Sequence, residues 1–358
     1  MKILTVVGAR PQFIKAAPVS RAVRRRHHEV LVHTGQHYDY EMSRVFFEGL
    51  DIPEPDHELG VGSASHAEQT ARMLTELEGV LLDEMPDCVL VYGDTNSTLA
   101  GAMVAAKLCI PLAHVEAGLR SFNRTMPEEI NRVLTDRVSR FLFCPTPTSV
   151  DNLKHEGIES GMHLVGDVML DVAMTAAARA EKTSTVLDRL GLKNRAYLLA
   201  TVHRAGNTDD EANLGAIVRA FARLREPLVL PLHPRTRKRL KDAGLDQVLA
   251  TAKHVIVTEP LGYLDFVMLQ RHARKILTDS GGLQKEACFH RVCCITLREE
   301  TEWVETVESG WNVLVGADEE AILREVGRPF EPPTVSCGGM ELWDGRASER
   351  IAAVLAEA

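Results

Sequence analysis

A rhythm constrains this chain more than any single motif. Short apolar runs, each closed by a small or acidic residue, alternate with longer stretches of helical spacing. Residues 2–7 form such a run ending at Gly8, and 10–23 follow with helical spacing. Further strands are predicted at 29–33, 88–92, 112–115 and 140–144, with helices at 41–50, 67–82, 98–108 and 127–140. The run at 88–92 ends in Gly93-Asp94, and the one at 140–144 stops before Pro145 and Pro147. Short strands separated by helices of about 10–15 residues predict parallel βαβ units, with ligands at the carboxyl ends of the strands.

The rhythm weakens over 165–179 and then restarts. Strands are predicted at 197–202, 228–232, 255–258, 275–278, 292–297 and 312–315, with helices at 213–224, 239–251, 263–271 and from 283 onward. An Ala-rich amphipathic helix spans 347–358. A chain of 358 residues, at about 150 per domain, holds roughly two domains. The junction is predicted within 166–178, giving a first domain at 1–168, a second at 169–340, and a helix at 341–358 that packs back on the first. The fold class is α/β: two doubly wound, Rossmann-like domains facing a central cleft where both sets of strand ends converge.

Composition removes several alternatives. With 45% hydrophobic and 25% charged residues, neither disorder nor a collagen-like repeat is expected. The apolar runs fall far short of the ~20 residues of a membrane span, so no membrane partner is expected. The first residues lack a leader's apolar core. A formal charge of −9 argues against a nucleic-acid partner but leaves room for a basic pocket that takes a smaller anion. The seven cysteines (Cys88, Cys109, Cys144, Cys288, Cys293, Cys294 and Cys337) form no C-x-x-C pair. They read as buried thiols in a reducing cytoplasm, with no zinc site and no other metal.

Six strand tips carry polar chemistry. Gly8-Ala9-Arg10-Pro11 is either an anion-binding helix start with Arg10 as a bidentate partner, or a plain turn with a surface Arg. Two of the three glycines of a dinucleotide fingerprint are missing there. Asp94 is either a helix cap or a candidate acid or base. In His114-Val115-Glu116 strand alternation places His114 and Glu116 on one face, with a structural His and a surface Glu as the alternative, and Glu116 comes near Asp94 if their strands are neighbours. Two close carboxylates would separate their pKa values and suit an acid and a base. Thr125 and Glu128 have capping-box spacing, which would leave Glu129 to reach Arg132. His203 ends a strand as a candidate acid, base or phosphate donor, and His233 adds positive charge nearby. In Thr278-Asp279-Ser280-Gly281-Gly282, small residues expose amides at a helix start, an anion site by geometry, with Glu286 one turn on to accept from ribose hydroxyls.

Taken together, GARPQFIKAAP (8–18), VLVYGDTNSTLAG (89–101), HVEAGLR (114–120), PEEINR (127–132), TVHR (201–204), ILTDSGGLQKEA (276–287) and REETEW (298–303) resemble the non-hydrolysing UDP-N-acetylglucosamine 2-epimerase family, whose fold is of the glycosyltransferase-B type. The matches run in order along nearly the whole chain. The resemblance implies an isomerase that needs no cofactor, forms a homodimer and takes a UDP-sugar. It implies catalytic roles for Asp94, Glu116, Glu128 and His203, and UDP-sugar binding by Arg10, Lys15, His233, Phe266, Ser280, Gly281, Gly282 and Glu286. The resemblance, not spacing, gives Glu128 a role beyond capping.

Three segments depart from the family pattern. Gln36-His37-Tyr38-Asp39 stands where many members carry a regulatory Gln-His-Arg-Glu type segment. His203-Arg204-Ala205-Gly206 lacks the second Arg and the Glu often found there. Arg298-Glu299-Glu300-Thr301-Glu302-Trp303 replaces a Thr-Glu-Arg-Pro form. These variants resemble the branch acting on UDP-2,3-diacetamido-2,3-dideoxyglucuronate, whose sugar adds a carboxylate and an amide. A UDP-sugar glycosyltransferase is the competing function on this fold; three carboxylates near one sugar carbon argue against it.

Overall fold

A computed structural model of the chain describes residues 1–36, 53–301, 303–334 and 342–358. The described residues divide into two compact units, Met1–Val172 with Leu342–Ala358, and Ala173–Glu341.

The first unit is built on seven strands: β1 (Lys2–Val7), β2 (His28–His33), β3 (His57–Glu58), β4 (Cys88–Tyr92), β5 (Leu112–Val115), β6 (Phe141–Cys144) and β7 (Met162–Leu164). Their spatial order is β3-β2-β1-β4-β5-β6-β7, parallel throughout. Its helices are α1 (Arg10–Val23), α2 (His66–Glu84), α3 (Asn96–Lys107), α4 (Pro127–Val138), α5 (Pro147–His155) and the start of α6 (Val168–Thr183). Successive side chains of a strand face opposite ways. Accordingly Ile3, Val7, Leu31 and Leu90 pack with Phe13 and Val19 of α1, while Leu4, Val6, Val89 and Val91 pack with Met73 and Leu77 of α2 and Ala100 of α3. Buried on both faces, such strands read as unbroken apolar runs.

The second unit repeats the plan with β8 (Leu198–Thr201), β9 (Leu228–Pro231), β10 (Val255–Thr258), β11 (Lys275–Thr278), β12 (Cys293–Thr296) and β13 (Asn312–Leu314). They run in the order β10-β9-β8-β11-β12-β13. Helices α7 (Glu211–Arg223), α8 (Pro234–Asp242), α9 (Asp246–Thr251), α10 (Tyr263–His272), α11 (Gly281–Phe289) and α12 (Glu319–Gly327) cover it. In each sheet the order reverses once, between β1 and β4 and between β8 and β11. Ligands of doubly wound folds bind beyond the strand ends at that reversal.

Several local expectations need correction. The weak stretch near 165–179 is the continuous helix α6, Ala-rich enough to blur its apolar stripe, and the boundary between the units falls within it. The single helix expected at 239–251 is two, α8 and α9, separated at Gly244 with φ +68°. The last helix, α13 (Ala347–Ala356), buries Ile351 and Leu355 in the cluster that holds α1, and Asp171 of α6 accepts the Ala347 and Ser348 amides at its start. Cys88, Cys109, Cys144, Cys293 and Cys294 are free, but Cys109 is exposed and Cys288 is disulfide-bonded, so the all-thiol expectation fails at Cys288. The helix expected at 41–50, the His37-Tyr38-Asp39 segment, Glu302 and Cys337 lie outside the described residues. Among the described residues no helix is long and apolar enough to cross a membrane.

Candidate active site

At the first unit's strand reversal, β1 ends at Gly8 and β4 at Gly93-Asp94. Gly8 is required by space, since a Cβ there would lie 2.0 Å from the Thr34 hydroxyl and 2.2 Å from that of Ser97. The amides of Gly8 and Ala9 both donate to Oε1 of Gln12, at 2.8 and 3.0 Å. The turn therefore spends on its own side chain the donors that were expected to attract an anion. The side chain of Arg10 lies outside the described atoms.

Asp94 does not cap α3. Thr95 does, exchanging bonds with Thr98. The Asp94 carboxylate is instead ion-paired to Arg132 of α4, and Asn131 donates to its backbone carbonyl at 2.9 Å. Glu116 follows the end of β5 with φ +71°, which breaks the alternation expected to align it with His114. Its carboxylate is ion-paired to Lys15 of α1. Gly93 has φ +62°, and a Cβ on it would lie 3.3 Å from both Oε2 of Glu116 and Nζ of Lys15. Burial by itself would lower the Lys15 pKa, but Glu116, Asp94 and Asp167 outweigh it and hold the ammonium above its usual value. Thus Glu116 pairs with Lys15 and Asp94 with Arg132, and Asp94 reaches the Lys15 ammonium through its field alone. His114 is fully buried, and its interactions are structural at first sight.

Thr125 bonds to Asn123, the N-cap of α4 is Met126 without a side-chain cap bond, and the expected capping box is absent. Glu128 is exposed on the first turn of α4, one turn before Arg132. Glu129 is the buried acid of the pair, accepting from the Ser121 and Phe122 amides and from Arg132 at 3.1 Å.

The second unit's reversal is stitched by the hydroxyls of Thr201 and Thr278, 2.7 Å apart. Asp279 is fully buried and accepts from the amides of His203 (3.1 Å) and Arg204 (3.0 Å) and from Asn207 (3.1 Å). Nδ1 of His203 lies 3.4 Å from the same carboxylate. Burial, opposed by Asp279 and reinforced by Arg204 and His233, keeps the His203 pKa below its usual value. His233 caps α8 and is exposed. Ser280 is the N-cap of α11 without a side-chain cap bond, and the helix's first intrahelical bond runs from Gln284 N–H to Ser280 C=O. The amides of Gly281, Gly282 and Leu283 precede that bond and sit at the positive end of the dipole. Glu286 accepts from Gln270 at 2.8 Å, and Phe266 of α10 packs against the hydrophobic cluster that buries Leu283 and Ala287 of α11. Arg132, Asp279 and Gln270 are the residues sequence reasoning missed as organisers of the site. Only Arg132 had a local signal, being one helical turn beyond Glu128. Among the described residues no group of His, Cys, Asp and Glu could hold a metal.

A family model for UDP-N-acetylglucosamine 2-epimerase matches residues 21–356. The chain belongs to that family. Among relatives of this epimerase, a UDP-N-acetylglucosamine 2-epimerase homolog of Methanococcus maripaludis is 52% identical over 99% of both chains. The UDP-2,3-diacetamido-2,3-dideoxy-D-glucuronate 2-epimerase of Pseudomonas aeruginosa is 51% identical over 100% of both. The Methanocaldococcus jannaschii UDP-GlcNAc 2-epimerase, solved in complex with UDP-GlcNAc and UDP, is 44% identical with a TM-score of 0.86 over 100% of both chains. The epimerase thus has the paired Rossmann-like units of the glycosyltransferase-B type, and it is an isomerase.

Proposed function

We propose that the chain interconverts UDP-N-acetylglucosamine and UDP-N-acetylmannosamine by eliminating UDP across carbons 1 and 2 and adding it back. Carbon 2 lies beside an acetal carbon, so its proton has no enolate to leave behind. The workable route removes that proton with a carboxylate while the bond from carbon 1 to UDP breaks on the opposite face. The products of this half-reaction are 2-acetamidoglucal, UDP and a protonated carboxyl. Protonation of carbon 2 from the other face by a second carboxyl group, with return of UDP to carbon 1, gives the epimer; the two carboxyls have then swapped protonation states and are reset by exchange with water.

Asp94, Glu116 and Glu128 serve as the acids and bases at carbon 2. Lys15 holds Glu116 in place and Arg132 holds Asp94. In the second unit the N-terminus of α11, from Ser280 to Gly282, receives the departing diphosphate, with His203 and His233 beside it, and in the first unit Arg10 is a UDP-sugar-binding residue. Glu286 takes the ribose and Phe266 the uracil.

The observation that carries this reading is Glu116 paired to Lys15, with Asp94 in the field of the same ammonium, beside the strand reversal. Glu116 is held there in left-handed backbone, a strain of roughly 1–3 kcal/mol that tends to mark functional sites. Incubation with UDP-N-acetylglucosamine in deuterium oxide tests it by NMR. Deuterium at carbon 2 with a manno product is expected, and fully protiated starting sugar would overturn it. The P. aeruginosa relative, matched along both entire chains, favours a second reading in which the same chemistry acts on UDP-2,3-diacetamido-2,3-dideoxyglucuronate. Running both sugars side by side decides the branch by which one exchanges.

We further place the enzyme in the cytoplasm, supplying sugars for surface polysaccharide, as a homodimer. Ile130, Leu134 and Val138, four residues apart on α4, are 48%, 44% and 37% exposed, and this apolar stripe supports pairing with a second copy.

A further inference from the structure

Both ring nitrogens of His114 are committed. Nδ1 lies 2.7 Å from Oδ1 of Asp136 in α4, and Nε2 lies 2.7 Å from the Gly93 carbonyl oxygen. Neither partner has a proton to offer. A backbone carbonyl only accepts. Asp136 already accepts from the Gly118 amide at 3.1 Å and pairs with Nη1 of Arg120 at 2.7 Å. Burial would raise its pKa, but His114 and Arg120 prevail and hold the carboxyl below its usual value. A neutral imidazole has one donor and one acceptor nitrogen. It would leave two lone pairs facing each other at one of these contacts, and only the doubly protonated ring satisfies both.

Charge balance points the same way. The side chains of His114 and Asp136 are 0% exposed and that of Arg120 is 1% exposed. Arg120 also forks onto Glu156, at 2.6 and 2.9 Å. With a charged ring, two acids face two cations. With a neutral one, Arg120 alone answers both Asp136 and Glu156, the latter 26% exposed. The other titratable neighbour, Cys144 on β6, has its thiol pushed up to about 12, chiefly by burial, and adds no charge.

The cluster's backbone partners give it a task. Gly93 immediately precedes Asp94, and Gly118 follows Glu116 by two residues. One buried clamp thereby ties down both strand tips. We propose that His114 is a positioning residue, protonated on both nitrogens, that links Asp136 to the Gly93 carbonyl and so keeps Asp94 and Glu116 in place at their strand tips. This rests on the reading of those two carboxylates as the groups acting at carbon 2.

Two readouts test it. In the wild-type enzyme labelled with ¹⁵N-histidine, long-range ¹H–¹⁵N correlation at neutral pH should show His114 with both nitrogens protonated and both N–H groups slow to exchange. A bare nitrogen on that ring would overturn the proposal. His114→Gln, which can donate from one end only, should lower kcat about a hundredfold, the scale of a small misplacement of reacting groups, with KM and UDP affinity unchanged. A wild-type kcat, or a loss confined to KM, would overturn it as well. Should that variant fail to fold, Asp136→Asn keeps the shape without the charge; kcat should fall and the His114 ring should lose a proton, and no change in either contradicts the role. Wild-type turnover is the control: absence of epimerisation would sink the functional reading, whereas the ring's protonation is measured without substrate.

Discussion

Lys15 draws Asp94, Glu116 and Asp167 into the field of one half-buried ammonium, which is why single carboxylates here are expected to be indispensable rather than interchangeable. Asp94→Asn and Glu116→Gln should each reduce turnover by at least about a hundredfold, the usual scale for losing a general acid or base. UDP titrated by calorimetry should still bind, since its proposed cradle is at Ser280–Gly282. Unimpaired turnover in either variant would remove that residue from the mechanism. His203 carries a different signature. Folding lowers its pKa from 6.5, so it should be neutral at pH 7, and an NMR titration should find its midpoint below that value. The unfolded chain then takes up a proton first, and this residue should subtract stability as pH falls below 6.5.

At the scale of elements, α4 does most of the organising, since one helix delivers Arg132 to Asp94, Glu129 to the 121–122 turn and Asp136 to His114. Folding depresses the Asp136 pKa below 3.8, so its contribution is present above that value and lost as pH falls through the folded-state value. Asp136→Asn should cost roughly 3–5 kcal/mol at neutral pH, the range for breaking a buried ion pair, and flatten the acid limb of the stability curve in denaturant melts. The strand tips are as exacting. Gly93→Ala puts a side chain on a residue with φ +62°, roughly 1–2 kcal/mol of strain, and crowds the Glu116–Lys15 pair. It should therefore lose activity beyond its modest drop in melting temperature. Gly118→Ala should be worse, because a Cβ there would meet the Ser149 carbonyl at 2.2 Å.

At the scale of the whole molecule, the proposed homodimer has a direct check. Leu134→Lys on the exposed stripe of α4 should convert a dimer to a monomer in light scattering, and an unchanged mass would exclude that face. Apolar runs such as Cys88–Tyr92 and Phe141–Cys144 made the parallel sheets legible in sequence, because strands buried on both faces are largely apolar. The acids at Asp94 and Glu116 and the small-residue start of α11 were legible too, since strand-tip polarity and glycine spacing are local signals. Partners were not. That Gln12 occupies the Gly8 amides, that Thr95 rather than Asp94 caps α3, and that Glu129 rather than Glu128 is the buried acid all depend on where other elements lie. The pairing of His114 with Asp136 across 22 residues depends on it as well. Backbone periodicity and glycine conformations are written in neighbouring residues, so sequence alone determined the architecture and which residues reach the strand tips. Hydrogen bonds and ion pairs join residues distant in the chain, so only the tertiary structure decided which of those residues are held by which cations, and which are merely structural.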